Sequence, residues 1–148
     1  MARLSLTRRV TFAAAHRYRR PEWSEARNLE VFGNCSRAPW HGHTYTCDVT
    51  ESGPVDPVTG FVVDLRRLDE ALDAEVMARF DHRNINTDVP EFAEGLLVPS
   101  CENVAAYIAE RVQAALGARA QVTRVWLSES PTLWAEWLAD DGRPAAID

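Results

Sequence analysis

Between Cys35 and Tyr45 the chain reads Cys-Ser-Arg-Ala-Pro-Trp-His-Gly-His-Thr-Tyr, its densest run of groups able to do chemistry. His41 and His43 stand two apart. On a β-strand both side chains leave the same face, about 6.5–7 Å apart along the chain. Imidazoles so placed either converge on one metal ion, given a third ligand from elsewhere, or remain a metal-free pair. Gly42 between them puts no side chain on the opposite face, which suits a close backbone approach. Cys35 offers a nucleophile or base beside such a metal, and the nearby Arg37 would favour its thiolate.

Other groups extend this set. His16 ends an alternating apolar segment that should lie beside the strand carrying His41 and His43, because consecutive strands commonly pair. Three neutral imidazoles there would be a zinc ligand set with an open fourth position, the catalytic form of such a site. The alternative is three partly exposed histidines without metal. Asp81-His82 sits at an irregular turn, where a carboxylate can fix an imidazole's tautomer for proton transfer or be an incidental surface neighbour. Cys47 lies in strand alternation and reads as a small packed residue. Cys101 and Glu102 open a helix, where capping-region packing and the helix dipole account for them. Glu129, just past an apolar strand, has no structural duty and could hold an amino-heterocycle through paired hydrogen bonds. Trp134 and Trp137, three apart, do not share a strand face.

The elements that must position these groups follow from periodicity. Leu4, Leu6, Arg8, Val10 and Phe12 alternate with polar residues, which predicts a first strand running into Ala13–His16. Residues 17–34 have no sustained period and read as a long loop with a helical turn near 24–28; a loop of that length is usually functional or mobile. A second strand starts near His41 and carries His43, Tyr45, Cys47 and Val49 on one face. A turn-rich segment, 52–60, precedes an extended apolar run, Phe61-Val62-Val63. Asp64 caps a helix with the stripe Leu65, Leu68, Leu72, Val76 and Phe80. Residues 81–95 read as irregular. Ser100 opens a second helix bearing Val104, Ile108, Val112 and Leu116, stopped by Gly117. Strands are expected at 121–128, with Val125 and Leu127 inward, and at 133–138; the tail from Asp140 to Asp148 reads as frayed. The order is two strands, two helices, two strands: an α+β domain, a four-stranded antiparallel sheet with both helices on one face.

At 148 residues one domain, 1–148, is expected, long enough to bury a sizeable core. No apolar run is long enough to span a membrane, and the N-terminus lacks a signal-peptide core. Three cysteines without framework spacing fit free thiols in a reducing compartment, so a cytoplasmic protein is expected. The net charge of −6 argues against general nucleic-acid binding but leaves room for a small anion held by a local basic cluster.

Several blocks, taken in order, resemble the 6-pyruvoyl-tetrahydropterin synthase family of the tunnelling fold. They are Phe12-Ala13-Ala14-Ala15-His16, Asn28 through Cys35, His41-Gly42-His43-Thr44-Tyr45, Val55 through Gly60, Phe80 through Asn86, Asp88-Val89-Pro90, Glu102-Asn103-Val104-Ala105 and Glu129-Ser130. The resemblance covers the chain up to about Leu138 and implies a catalytic Zn²⁺ held by His16, His41 and His43. It implies Cys35, Asp81 and His82 as the proton-transfer set, Glu129 as anchor of the pterin's guanidino edge, and Glu102 nearby in the substrate pocket. The implied reaction is a lyase step from 7,8-dihydroneopterin triphosphate to 6-pyruvoyl-tetrahydropterin, with Mg²⁺ a possible companion of the triphosphate. Arg17, Arg19, Arg20 and Arg37 lie in the right loops to meet its charge. The implied assembly is a homo-oligomer, a trimer or dimer of trimers, whose sheets join into a barrel with pockets between subunits.

Within the family, five residues between Cys35 and His41 resemble the pyruvoyl enzyme, whereas the 6-carboxytetrahydropterin synthase of queuosine biosynthesis has three. That enzyme and a non-catalytic zinc- and pterin-binding protein are the alternatives. The chain departs from the family pattern where Pro39-Trp40 replaces Asn-Gly before the first paired histidine, where Ser100-Cys101 replaces Thr-Thr, and where Phe80 replaces Leu.

Overall fold

A computed structural model describes residues 3–119 and 121–140 of the chain. The alternating segments form two long strands, β1 (Leu4–His16) and β2 (His41–Gly53), paired antiparallel from Leu4 opposite Gly53 to His16 opposite His41. A two-residue strand, β3 (Arg83–Asn84), adds to β1 in parallel at Ala14 and Ala15. On the other side β2 pairs with β4 (Val122–Ser130), which pairs with β5 (Leu133–Leu138). The sheet therefore has five strands, in the order β3-β1-β2-β4-β5, rather than four, and one edge is parallel rather than antiparallel. A two-residue strand is too short to show any period, so sequence pattern cannot reveal it.

One face of this sheet carries the core. Phe12, Tyr45, Cys47, Val49, Val125 and Leu127 are buried there, and Phe12 stacks on both Tyr45 and Phe80. Helix α1 (Glu25–Phe32) belongs to the excursion between β1 and β2. Helix α2 (Leu65–Leu72) continues through a π-helical turn, Asp73–Met77, into Ala78–Phe80. Helix α3 (Cys101–Leu116) starts at Ser100, whose side chain accepts from the Asn103 N–H, and buries Val104, Ile108, Val112 and Leu116. The α2 stripe runs Leu68, Leu72, Val76, Phe80, all buried, while Leu65 is exposed. Each four-residue step in an α-helix over-rotates by about 40°, and the wider π turn absorbs that drift, keeping Val76 and Phe80 on the core face.

The helical turn expected near 24–28 within the long loop is there and extends to Phe32 as α1, held by a polar anchor. Ser24 caps it, accepting from the Arg27 N–H. Asn28 is buried, accepts from the Arg20 N–H and donates to the carbonyls of Arg20, Trp23 and Ser24. Leu29 and Val31 face outward, so no apolar stripe announces the helix. Phe61 to Val63 forms bends instead of extended strand, although Val63 still reaches the core. Residues 81–95 hold β3, one helical turn, Ile85–Asp88, and a 3-10 turn, Pro90–Phe92. Residues 141–148, most of the expected frayed tail, lie outside the described residues. No helix among the described residues is long and apolar enough to cross a membrane.

β2 also buries two carboxylates, Asp48, which pairs with Arg9, and Glu51. Where β2 shifts register against β4, Glu51 is 1% exposed and neither of its carboxylate oxygens has a hydrogen-bond partner. Burial pushes its pKa up to about 7, opposed by the charge of Arg67, whose own guanidinium donates to the Leu116 carbonyl.

Candidate metal centre

Strand register puts the three histidines together. His16 is directly opposite His41, and His43 is one pleat further along β2, opposite Ala14, so all three leave the same face. Their ring nitrogens lie within 4.8 Å of one another, with His16 Nε2 3.1 Å from His41 Nε2. The His16 Nδ1 lies 2.9 Å from the Pro99 carbonyl oxygen; a carbonyl only accepts, so Nδ1 carries the proton and Nε2 keeps its lone pair. The Tyr45 hydroxyl lies 3.0 Å from the same Nδ1. Burial first, then the neighbouring His41 and His43, brings the His16 pKa down to about 4. Burial likewise lowers His41 and His43. The rings are therefore neutral, the form a metal requires.

The donor set fits a cation on a further observation. His43 Nε2 is buried and has no hydrogen-bond partner, while the two other Nε2 atoms face each other. A buried nitrogen left unpaired costs on the order of 1–3 kcal/mol, and a shared metal ion would satisfy it together with the other two lone pairs. A carbonyl holding the far nitrogen of a metal-binding histidine, as Pro99 holds His16, is the usual support that fixes ring orientation.

Around these rings the excursion between β1 and β2 closes. Tyr18 N donates to the Cys35 carbonyl at 2.8 Å, which draws the 3-10 turn Gly33–Ser36 back to the end of β1. Cys35 is half-buried and, with Asn34, Arg37, Trp40, His41 and His43 among others, lines a cavity of about 440 Å³. Its thiol is pushed above the usual range by burial and by the charge of Glu129. Arg37 is not among the causes that set this thiol, so the expected thiolate support does not come from it. Glu129, at the end of β4, is buried with its Oε2 3.5 Å from the Tyr18 hydroxyl; burial raises its pKa, opposed by His41. Glu102 is exposed and reaches the site through its charge, which raises the pKa of Glu129. Cys101 is buried, donates to the Leu127 carbonyl and is pushed up to about 11, a packed thiol; Cys47 is buried as expected.

Asp81 and His82 stand elsewhere. Both are tied to the Ala13 backbone at the β1 edge: Asp81 Oδ1 accepts from the Ala13 N–H and the His82 N–H donates to the Ala13 carbonyl. The Ala13 N–H is the main cause holding Asp81 below its ordinary pKa. Asp81 Oδ2 lies 3.1 Å from His82 Nδ1, and His82 is largely exposed with φ of 56°, a left-handed conformation uncommon outside glycine. His82 lines a second cavity, about 560 Å³, with Gly42, His43 and Arg83, and Cys35 is not in its wall. Within one chain Cys35 and His82 thus line different cavities, with His43 common to both walls. A side chain at Gly42 would meet the Ala14 carbonyl at 3.5 Å, an ordinary contact, so no unusually close backbone approach requires that glycine.

Two tyrosines complete the centre without having been singled out by sequence: Tyr45, against His16 Nδ1, and Tyr18, whose ring packs edge-on to His16. Both repeat the strand period, two residues beyond His43 and His16, and that is the signal that could have found them.

A family model described as 6-pyruvoyl tetrahydropterin synthase matches residues 5–140. The chain belongs to the 6-pyruvoyl tetrahydropterin synthase family. It is 42% identical over 127 residues to the 6-pyruvoyl tetrahydrobiopterin synthase of Drosophila melanogaster, covering 85% of this chain and 74% of that one. It is 40% identical to the Homo sapiens protein of the same description, covering 75% of each. The solved structure of Caenorhabditis elegans 6-pyruvoyl tetrahydropterin synthase superposes with a TM-score of 0.87 at 33% identity, covering 95% of this chain and 98% of that one. A dihydroneopterin monophosphate aldolase of Pyrococcus furiosus is also similar, at 30% identity over 82% of this chain and 85% of its own. The family is thus one of enzymes, and its fold accommodates the three-histidine centre, the Cys35 cavity and the buried Glu129 of this chain.

Proposed function

We propose that this protein is a zinc-dependent lyase that converts 7,8-dihydroneopterin triphosphate to 6-pyruvoyl-tetrahydropterin with release of triphosphate. The observation that carries the reading is the unpartnered, buried His43 Nε2 facing two other neutral imidazoles beside a cysteine-lined cavity. His16, His41 and His43 would hold Zn²⁺, which supplies Lewis-acid polarisation of the substrate's side-chain hydroxyls and so acidifies the adjoining C–H bonds. Cys35 Sγ takes a proton from the side-chain carbon and returns it; a thiol pushed up by burial is a stronger base once ionised. The Glu129 carboxylate receives paired N–H groups of the pterin and fixes its orientation. Asp81 orients His82 through Nδ1, leaving Nε2 free to carry a proton. Triphosphate leaves by elimination, and the proton transfers complete an internal redox change, so atoms and electrons balance without an external reductant.

Because Cys35 and His82 line different cavities in one chain, the reading also assigns a homo-oligomer in which the Asp81-His82 pair of one subunit serves the Cys35 cavity of another. Mg²⁺ would accompany the triphosphate. The test is product analysis: zinc-loaded protein is incubated with 7,8-dihydroneopterin triphosphate and the products are identified by mass spectrometry. Expected are 6-pyruvoyl-tetrahydropterin and inorganic triphosphate. Acetaldehyde with a carboxylated pterin, a pterin shortened by aldol cleavage, or zinc and pterin binding without turnover would each overturn the reading.

A further inference from the structure

A triphosphate carries about four negative charges, and the catalytic cavity must meet them with cations that are not already neutralised. The excursion between β1 and β2 holds five arginines: Arg17, Arg19, Arg20, Arg27 and Arg37. Three are committed. Arg19 pairs with Glu25 and Glu94, Arg20 with Glu22, and Arg27 lies over the Trp23 ring. Among the described residues Arg17 and Arg37 form no salt bridge, although the charge of Arg17 acts on Glu25. Arg17 spends only Nε, which donates to the Ser36 carbonyl at 2.7 Å, and its terminal nitrogens remain available.

These two arginines share a wall. Arg17, Ser36, Arg37 and Ala38 line a cavity of about 480 Å³, a volume within the roughly 300–1,000 Å³ of ligand pockets. Arg37 and Ala38 also line the cavity that holds Cys35, His41 and His43, so Arg37 stands on the boundary between the two. Glu25 is in the same wall; its hydrogen-bond partner is Arg19, and the charge of Arg17 also acts on it, so it offsets part of the Arg17 charge and none of the Arg37 charge. Arg17 follows the metal-centre residue His16 directly and its backbone is clamped: its N–H donates to Asn86 Oδ1 and its carbonyl accepts from Asn86 Nδ2. The backbone is thereby fixed, and the bond from Nε to the Ser36 carbonyl holds the guanidinium against the 3-10 turn before any ligand arrives, which lowers the ordering cost of binding.

We propose that Arg17 and Arg37 form the anion subsite that receives the triphosphate of the substrate, with Arg37 as the gatepost between the metal cavity and the phosphate cavity. The proposal rests on the lyase reading for the identity of its ligand. Arg83, the other arginine lining a cavity with His43, is the rival, but it stands in that wall without a second arginine.

The probe is inorganic tripolyphosphate, titrated calorimetrically into zinc-loaded protein at fixed ionic strength. Arg37→Ala should weaken binding about tenfold or more, Arg37→Lys should weaken it less, and Arg17→Lys should weaken it as well. Arg20→Ala, whose guanidinium is already paired, should bind like the parent. Zinc content, measured in each variant, should be unchanged. With the full substrate, Arg37→Ala should raise KM more than it lowers kcat. Parent-like tripolyphosphate affinity in Arg37→Ala, or a loss that follows Arg83→Ala instead, overturns the subsite. Tripolyphosphate binding that depends on Arg37 in a protein that makes no pyruvoyl product leaves the subsite standing and sinks the lyase reading, so the two failures are separable.

Discussion

Replacing Glu51 with methionine should stabilise the fold at and above neutral pH and flatten its pH dependence. Glu51 is 1% exposed with neither oxygen hydrogen-bonded, and burial raises its pKa from 4.5 to about 7. In the unfolded chain the carboxylate ionises near 4.5. Between that value and about 7 the native state binds more protons than the unfolded state. The contribution of Glu51 is therefore most favourable below 4.5 and is lost as pH rises through about 7. At about 1.36 kcal/mol per pH unit the interval amounts to roughly 3 kcal/mol. Methionine keeps the length and flexibility of the side chain without the charge, so the variant's gain should be larger at pH 8 than at pH 4.5 by up to about 3 kcal/mol, on top of a pH-independent part from removing two unpaired oxygens. Urea midpoints measured at several pH values between 4.5 and 8, in both proteins, give the difference curve. A gain that is constant with pH, or a loss at pH 8, would refute the reasoning, because it would mean that Glu51 is solvated or paired in the native state.

Three further outcomes test the centre. His43→Ala removes a ligand whose Nε2 has no other partner, so zinc measured by elemental analysis should fall from about one per chain to a small fraction; full retention would remove His43 from the ligand set. Cys35→Ala should lower kcat by about 10²–10⁴-fold while leaving zinc content intact, and a variant turning over at the parent rate would show that another group moves the proton. Glu129→Gln should raise KM for the pterin substrate. Because the charge of Glu129 helps hold the Cys35 thiol high, the same variant should alkylate faster at Cys35 at a fixed pH near 8, and an unchanged alkylation rate would contradict that coupling.

How far the sequence reaches depends on the kind of force involved. Period-two alternation in β1 and β2 is written by burial against one core, so the common face of His16, His41 and His43 could be read before any coordinates. The stripe Val104, Ile108, Val112, Leu116 is legible for the same reason. Helix α1 is legible only as a turn near 24–28, because a buried asparagine and a serine cap hold it rather than an apolar stripe. Glu51 gives no warning either: its position along β2 continues the face of Tyr45, Cys47 and Val49, but nothing local says that no partner meets it.

The amino-acid order by itself determined the family, the strand pairing and the three imidazoles that can share an ion, because these follow from side-chain period and from residue identity at fixed spacing. Only the tertiary structure decided that Cys35 and Glu129 stand beside that centre while His82, with Asp81 behind it, lines a different cavity. It also decided which arginines are already spent on carboxylates and which remain free. Proximity, burial and the pairing of charges depend on where distant segments come to rest, and those are sums over contacts that no local pattern carries.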